Sequence, residues 1–296
     1  MEIHQLRYVA MVARTHNFCR AAELCHITQP SLSQQIKKLE NELGERIFER
    51  SRRGATLTRF GRRLLPKIQA SLSSLQDLEN LAHDQEQEVA GELTFGAIPT
   101  IAPYFMPPLV QACAKAHPGM QLQLVENTTE TLVEKLLAGE IDCAMMSRPH
   151  PHEQLLETRT LFQEPFLIVL ASRHPLAKRK RLRLPELAGT PMIIMQEMHS
   201  LNQQIRALCE ASNARPKLSV KSAQIETMVY LVEAGLGYSL IPEMAAQSME
   251  HRDVVFRHVI SEDAHRDVIL AWPRALPLNR LMTAFLGVLA AWQKAN

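Results

Sequence analysis

The sequence lacks any apolar run long enough to cross a membrane. Its longest hydrophobic stretch, residues 281–292, includes threonine and glycine and is much shorter than the roughly twenty residues of a membrane-spanning helix. The first residues show no apolar signal-peptide core. The five cysteines have no paired spacing, which argues against a disulfide framework and for a reducing compartment. We therefore expect a cytoplasmic protein without a membrane partner.

Catalytic and cofactor motifs are also missing. The sequence contains no GxSxG, HExxH or phosphate-binding loop, and Gly235 and Gly237 lack the third glycine of a dinucleotide fingerprint. These two glycines instead predict a turn between a helix and a strand. His150 and His152 have no third metal ligand at a suitable spacing and indicate a pair of solvated loop histidines. We expect no enzyme activity, no cofactor and no metal site.

The charge is small overall but uneven. The net charge is only +2, yet residues 1–63 carry twelve Lys and Arg against six acidic residues. Such an excess in a short N-terminal module is typical of a protein that binds a phosphate backbone. The remainder of the chain is slightly acidic, which a solvated surface explains. With 296 residues, 46% of them hydrophobic, the chain can form about two domains.

Residues 18–44 predict two helices joined by a tight turn. Pro30 suits the first turn of the second helix and disfavours a helical Gln29. The second helix should end at Gly44. The apolar residues that mark the two helices are Phe18, Ala21, Ala22 and Leu24 in the first, and Leu32, Ile36, Leu39 and Leu43 in the second.

The opposite face of the second helix carries side chains of the types that bond base edges and phosphates. They are Ser31, Gln34, Gln35, Lys37 and Lys38. Residues 45–57 then predict a two-stranded wing that turns at Arg53 and Gly54, with Arg50 and Arg52 nearby. These arginines would reach phosphates or the minor groove; the alternative is a solvated basic loop.

A long helix is expected after the wing. Thr58 can cap it, and it should continue to about Gln87. Its apolar residues form a narrow seam suited to a partner helix, namely Leu65, Ile68, Leu72, Leu75 and Leu78. Pro66 lies within this seam, where an interior proline costs about 3 kcal/mol and kinks a helix.

From Gly91 onward, short strands and helices alternate, which indicates parallel sheets with helices on both faces. Ligands bind such sheets beyond the carboxyl ends of the strands. Strands are predicted at 92–98, 121–126, 141–146, 166–171, 192–195, 218–222, 238–242 and 268–272. Helices are predicted within 101–116, 128–139, 200–211, 225–234 and 278–294.

Residues 21–50 resemble the helix-turn-helix of the LysR-type transcriptional regulators. Leu24 falls one place early, and Thr28 and Ile47 are mild substitutions. The positions that match are Ala21, Ala22, Gln29, Pro30, Ser33, Ile36, Leu39, Glu40, Leu43, Gly44, Phe48 and Arg50. The resemblance implies contacts to double-stranded promoter DNA from Gln29, Pro30, Ser31, Ser33, Gln34, Lys37, Lys38, Arg50, Arg52 and Arg53.

The resemblance covers the whole chain and implies an α/β fold with a winged helix-turn-helix N-terminal domain. It places that domain at 1–58, a linker and dimerisation helix at 59–90 and an effector domain at 91–296. The effector domain would have two Rossmann-like lobes, as in type 2 periplasmic binding proteins, with lobe I at 91–162 plus 268–296 and lobe II at 163–267. The implied partners are promoter DNA, RNA polymerase and further subunits, in a homodimer or homotetramer.

Three segments resemble the OxyR branch of this family, which senses hydrogen peroxide, at residues 97–107, 141–149 and 198–214. In the last segment His199, Leu201 and Cys209 match, whereas Met198, Ser200 and Asn202 differ, and Ser200 stands at the reactive-cysteine position. Thr100 and Thr129 resemble hydroxyl residues of that branch's pocket. Helix capping by these threonines is the alternative explanation.

Ser200 decides which chemistry is available. A peroxide-reducing cysteine reacts as a thiolate and passes through a sulfenic acid, which a serine hydroxyl cannot do. Cys209 lies about 13 Å further along a helix, whereas a disulfide needs Cα atoms within about 7 Å. Three explanations of Ser200 stay open. It is an N-cap in a capping box, an engineered Cys-to-Ser change that holds a peroxide sensor reduced, or part of a natural pocket for a small polar molecule.

The sequence therefore predicts a sequence-specific DNA-binding regulator that responds to peroxide or to a small-molecule inducer in the cleft between its lobes. A solute-binding protein is the remote alternative, and an α/β enzyme is a third. The four remaining cysteines are expected to be structural rather than redox residues, with Cys19 and Cys25 in or beside the small helical core, Cys113 on a helix and Cys143 within a strand.

Overall fold

The computed structural model describes residues 1–51, 54–82, 89–148, 150, 152–249, 253–276 and 278–295. The N-terminal module has three helices, α1 (Ile3–Thr15), α2 (Phe18–Leu24) and α3 (Gln29–Leu43). A hairpin of β1 (Phe48–Ser51) and β2 (Gly54–Leu57) follows them as the wing. The predicted helix-turn-helix and its wing are confirmed.

Local signals explain the boundaries of these helices. The Asn17 side chain caps α2 by accepting the amides of Cys19 and Arg20. Thr28 caps α3, and Gly44 ends it in the left-handed conformation at φ 78°. The leucine face of α3 packs inward, since Leu32, Ile36 and Leu39 are almost fully buried.

Leu24 is not part of this core. Its side chain is 39% exposed, whereas Cys25 packs partly buried against the core of the module. Cys25 follows Ala21 by four residues and Ala22 by three, so it shares their buried side of the helix. The predicted apolar patch is therefore wrong at Leu24, the position that also fell one place early in the family pattern.

The helix after the wing, α4 (Arg59–Ala82), begins where the sequence predicts. Thr58 Oγ1 accepts the Gly61 amide at 2.9 Å. Pro66 lies inside α4 without ending it. The predicted apolar seam divides into two parts: Leu65 and Ile68 pack into the N-terminal core, while Leu78 is 62% exposed. The predicted end near Gln87 lies outside the described residues.

The C-terminal part alternates strands and helices around two separate hydrophobic cores. The first lobe contains β3 (Gly91–Ala97), α5 (Ala102–Ala116), β4 (Met120–Glu126), α6 (Thr129–Ala138), β5 (Cys143–Ser147) and α10 (Arg280–Ala295). The second lobe contains β7 (Arg181–Leu182), β8 (Met192–Met195), α7 (Ser200–Ala211), β9 (Leu218–Ser222), α8 (Ile225–Glu233), β10 (Ser239–Pro242), α9 (Glu243–Gln247) and β11 (Val254–Val259). Two strands join the lobes, β6 (Leu156–Ala171) and β12 (His265–Pro273).

The sheets are mixed, so the expectation of parallel sheets is wrong in part. β3 pairs in parallel with β4 and β5, and β8 pairs in parallel with β9. However, β12 is antiparallel to both β5 and β6, and β10 and β11 are antiparallel to β6. The reason is topological: β6 carries the chain out of the first lobe and β12 carries it back, so the two run in opposite directions.

The predicted strand at 166–171 is only the second half of β6. The first half, residues 156–165, pairs with β12, and the strand continues through Pro165, which lies opposite His265. The strand β11 was not predicted. By contrast, the predicted bounds of β8, α7 and β9 are confirmed. Gly235 and Gly237 adopt φ values of 84° and 155° between α8 and β10, so the predicted turn there is confirmed as well.

None of the described helices is both long and apolar enough for a membrane span.

Candidate functional site

The outward face of α3 is open to solvent. Ser31, Gln34, Lys37 and Lys38 are exposed, as is Pro30 in its first turn. Gln29 and Ser33 are half-buried and bonded to each other, with Gln29 Nε2 donating to Ser33 Oγ at 2.7 Å. The helix therefore presents amide, hydroxyl and ammonium groups on the side away from the core, which is the arrangement of a helix that enters a groove.

Gln35 does not belong to this face. It is half-buried, and its Oε1 accepts from Gln5 Nε2 at 3.2 Å and lies 3.3 Å from His4 Nε2. The expectation that Gln35 lies on the face that binds nucleic acid is wrong. Position 35 follows the buried Leu32 by three residues and precedes the buried Leu39 by four, so its side chain lies beside them and reaches α1 rather than solvent.

Glu40 lies in the groove between α3 and the wing and bonds to the start of the wing. Its Oε1 accepts the amides of Ile47 at 2.7 Å and Phe48 at 3.2 Å. Gln34, Lys37, Arg46 and Phe48 line this groove together with Glu40. Sequence inspection found Glu40 only as a motif position; its role in fixing the start of the wing requires the three-dimensional contact. Arg52, Arg53 and the side chain of Arg50 lie outside the described residues.

A second candidate site lies where the two lobes meet. Four of the five predicted sensor residues line one small space: Thr100 and Thr129 come from the first lobe, and His199 and Ser200 come from the second. Together with Ile98, Pro99 and Thr128 they line a narrow cavity that has no room for a water molecule in this conformation. Cys209 is not among them.

Ser200 is not a helix cap. His199 is the N-cap of α7, with φ −98° and ψ 131°, and Ser200 is the first helical residue. The capping-box explanation is therefore wrong, because the helix starts one residue earlier than a capping Ser200 requires. The Ser200 hydroxyl lies instead 3.4 Å from Ser147 Oγ, at the end of β5. Ser147 Oγ also accepts from Gln204 Nε2 at 2.9 Å.

The two threonines have different surroundings. Thr100 precedes α5, and its Oγ1 accepts from Arg266 Nη1 at 2.7 Å. Thr129 is the first residue of α6, but the capping side chain there is Thr128. Thr129 is 2% exposed, and its Oγ1 has no hydrogen-bond partner within the described part of the chain. A buried hydroxyl in this state is unfavourable until a ligand or water bonds to it.

Arg266 and Glu164 form a buried ion pair at the junction of the lobes. Arg266 Nε donates to Glu164 Oε2 at 2.7 Å, and Glu164 Oε1 accepts the Met244 amide at 2.9 Å. Arg266 Nη2 also donates to the Thr100 carbonyl at 3.0 Å. Sequence reasoning missed this pair. The available signal was that Arg266 precedes the buried Val268 by two residues and therefore shares its face of β12.

His199 is held in its neutral form. Burial lowers the pKa of its imidazole, and the nearby Glu130 opposes this only in part. At neutral pH the ring therefore carries one N–H donor and one acceptor nitrogen. Elsewhere at the lobe junction, Tyr104 OH donates to Glu226 Oε1 at 3.1 Å.

Cys209 lies in the core of the second lobe. Its side chain is 5% exposed, and burial raises the pKa of its thiol to about 11. One unbroken helix, α7, contains both Ser200 and Cys209. The thiol is therefore protonated at neutral pH and separated from position 200 for as long as α7 stays folded.

Cys113 and Cys143 are buried, and burial raises the pKa of each thiol, whereas Cys19 is exposed on α2. One smaller expectation is wrong. His150 is 8% exposed rather than solvated. Spacing along the sequence does not report burial of this kind, which is set by tertiary packing. Across the described residues, no group of three or more His, Cys, Asp or Glu is placed to hold a metal ion.

Comparison with known families accounts for both parts of the molecule. Residues 3–62 match the bacterial regulatory helix-turn-helix protein family, lysR type, and residues 86–294 match the LysR substrate binding domain. The chain belongs to the LysR family. It is a LysR-type transcriptional regulator, in which the N-terminal module is the DNA-binding helix-turn-helix domain and the C-terminal part is the LysR substrate binding domain.

Three relatives place this LysR-type protein near the OxyR group. The DNA-binding transcriptional dual regulator OxyR of Escherichia coli is 32% identical over 280 residues, which cover 94% of this chain and 92% of the relative. The structure of a full-length Cys-to-Asp variant of OxyR from Pseudomonas aeruginosa is 31% identical, with a TM-score of 0.86, and covers 99% of this chain and 95% of that chain. A Cys-to-Ser variant of Corynebacterium glutamicum OxyR with hydrogen peroxide bound is 31% identical, with a TM-score of 0.66 and the same coverage.

Proposed function

We propose that this LysR-type regulator responds to hydrogen peroxide, or to a polar molecule of similar size, bound at the lobe junction. The observation that carries the proposal is the buried, unbonded hydroxyl of Thr129 beside Ser200 and the neutral His199. Because the cavity has no room for a water molecule in this conformation, only a ligand of a few atoms could enter it, after small movements of the surrounding side chains. The peroxide-bound Cys-to-Ser relative supports the same choice of ligand.

With Ser200 in place, we infer that the protein is held in the state of a reduced sensor. Peroxide can bind, but no thiol is present at the start of α7 to attack it. A cysteine at position 200 would supply that thiol. Its sulfur would attack peroxide to give a sulfenic acid and water, and the Cys209 thiol would then displace a second water to form a disulfide. Because Cys209 is buried on the same helix, α7 must unwind before the second step.

The decisive experiment is a thiol titration of Ser200→Cys. The variant should lose two titratable thiols per chain when one equivalent of peroxide is added, and peptide mapping should show a bridge between positions 200 and 209. The double variant with Cys209→Ser is the matched control and should stop at a sulfenic acid. If Ser200→Cys keeps both thiols, or loses them without forming that bridge, the redox part of the proposal fails.

A second candidate is reversible binding of a small polar inducer without any redox step. The unbonded Thr129 hydroxyl favours this candidate, because a ligand could form a hydrogen bond with it without breaking any hydrogen bond within the protein. Calorimetric titration of the Ser200 protein with peroxide tests it, with Thr129→Val as the variant that should bind more weakly. Equal affinity for the two proteins would exclude a role of Thr129 in binding.

We further propose that the DNA contacts come from α3 and the wing, through Gln29, Pro30, Ser31, Ser33, Gln34, Lys37, Lys38, Arg50, Arg52 and Arg53. Two such modules in a homodimer, or four in a homotetramer, would fit a two-fold operator. A regulator of this kind acts with RNA polymerase at the promoter, in the bacterial cytoplasm where the chromosome lies.

A further inference from the structure

Helix α6 joins two regions of the molecule that are far apart in the sequence. Its first turn belongs to the cavity, since Thr128 and Thr129 line it together with His199 and Ser200. The helix has 10 residues, a length of about 15 Å at 1.5 Å per residue. Its other end lies against the linker helix α4 and the DNA-binding domain.

The contacts at that far end are specific. Glu140 Oε1 lies 3.1 Å from Nε2 of His16 in the DNA-binding domain, and Glu140 Oε2 lies 2.5 Å from Nζ of Lys135. Gln69 Nε2 of α4 donates to the Ala138 carbonyl at 3.3 Å. Gly139 makes this approach possible, because a Cβ at that position would lie only 1.5 Å from Gln69 Nε2.

His16 is in turn the residue that holds the wing. It ends α1 in the left-handed conformation, and its carbonyl accepts the Ala55 amide of β2 at 2.8 Å. Gly54 packs so closely on this carbonyl that a Cβ there would lie 2.5 Å from the His16 oxygen. A displacement of Glu140 therefore acts on the same residue that sets the position of the wing.

The middle of α6 is packed tightly enough to move as one body. Leu132, Val133 and Leu136 are at most 1% exposed and belong to the core of the first lobe. Gly96 of β3 lies directly beneath them, at a distance where a Cβ would come within 2.7 Å of Leu132 Cδ2. Close-packed interiors have low compressibility, so a shift of the first turn is passed to the last.

We propose that α6 is a lever that transmits the state of the cavity to the wing through Glu140 and His16, and to the linker helix through Gln69. The inference rests on the proposed function in one respect only, that an effector occupies the cavity. The coupling itself is a property of the unliganded chain. A ligand that bonds Thr129 and draws the first turn inward would shift Glu140 and change the presentation of the wing to DNA.

The test changes Thr129 at the start of α6 and measures the effect at the wing, using the full-length chain without a ligand. Thr129→Val removes the hydroxyl with little change of shape, and Thr129→Phe overfills the site. The readout is hydrogen exchange of the Ala55 amide, whose acceptor is the His16 carbonyl. We expect Thr129→Phe to change this exchange rate by about five-fold or more, the lower end of typical allosteric coupling, with a smaller change in the same direction for Thr129→Val.

The same Thr129 substitutions are then made in a background with Glu140→Ala and Gln69→Ala, where the far contacts are absent. If α6 transmits the change, the Thr129 substitutions should no longer alter hydrogen exchange of the Ala55 amide in this background. Glu134→Ala, an exposed acidic residue of the same helix, is the matched control and should leave the response intact. Near-ultraviolet circular dichroism checks that each variant is folded. If Thr129→Phe does not fold, the comparison of the two backgrounds is made with Thr129→Val.

Two results would overturn the lever. One is an equal response of Ala55 in both backgrounds, and the other is no response of Ala55 while exchange at residues 128–132 changes. Neither result depends on the effector. Failure of peroxide to bind would remove the proposed ligand and leave the coupling measurement valid.

Discussion

Gln34 and Gln35 are neighbours in the sequence and face different parts of the molecule. Gln34 is exposed on the outer face of α3, and Gln35 is bonded to Gln5 of α1. At the scale of single residues, function depends on which way a side chain points. The helical period separates adjacent positions by about 100°.

The pair allows a matched test of base recognition. Gln34→Ala should reduce discrimination between operator and mutated operator by about 1–3 kcal/mol, the worth of a good side-chain pair with a base, without changing thermal stability. Gln35→Ala should lower stability by about 1 kcal/mol through its lost hydrogen bond and leave base preference unchanged. Competition gel shifts and denaturant melts measure the two effects. A reversed pattern would exchange the roles assigned to the two residues.

At the scale of elements, β6 and β12 carry the connection between the lobes, and the Glu164–Arg266 pair lies where they meet. Both side chains are almost completely buried. A buried pair of this kind is stable as a pair and costly to break, because the remaining charge has no water to solvate it. This pair also holds the Thr100 hydroxyl at the edge of the cavity.

Breaking the pair on one side should therefore destabilise the protein strongly. Glu164→Leu should cost about 3–5 kcal/mol in the free energy of unfolding, because it leaves the Arg266 guanidinium buried without its carboxylate. The double variant with Arg266→Met should recover most of this loss. Urea unfolding of the single and double variants measures both values. If the single and double variants are equally stable, the unpaired charge of Arg266 is not what destabilises Glu164→Leu.

At the scale of the whole molecule, the positive charge is concentrated at the N-terminal end. Residues 1–63 hold twelve of the 33 Lys and Arg, in a chain whose net charge is only +2. Binding that neutralises phosphates releases counterions and therefore weakens steeply with salt. The rest of the chain is slightly acidic and is not expected to release counterions from DNA in this way.

The affinity of the full chain for its promoter duplex should thus fall linearly on a log–log plot against salt. Lys37→Ala should flatten the slope by about one unit if Lys37 binds a phosphate. A chain that starts at residue 63 should lose retardation of the duplex and keep cooperative unfolding. Retardation by the truncated chain would place the DNA contacts outside the N-terminal module. An unchanged slope for Lys37→Ala would remove that residue from the phosphate contacts.

The sequence alone determined the elements whose signals are local. The leucine face and Pro30 define α3, Gly44 ends it, and periodicity placed α7 between β8 and β9, because helix caps and apolar spacing act within a few residues. It also placed Ser200 at the start of α7 and thereby removed thiol chemistry from that position.

Only the tertiary structure decided which distant residues meet. The antiparallel course of β6 and β12, the burial of Arg266 against Glu164, and the contact of Glu140 with His16 join residues separated by about a hundred positions. These contacts depend on the packing of complete lobes. No pattern within a short window encodes them, since the free energy that selects them arises from burial summed over the whole chain.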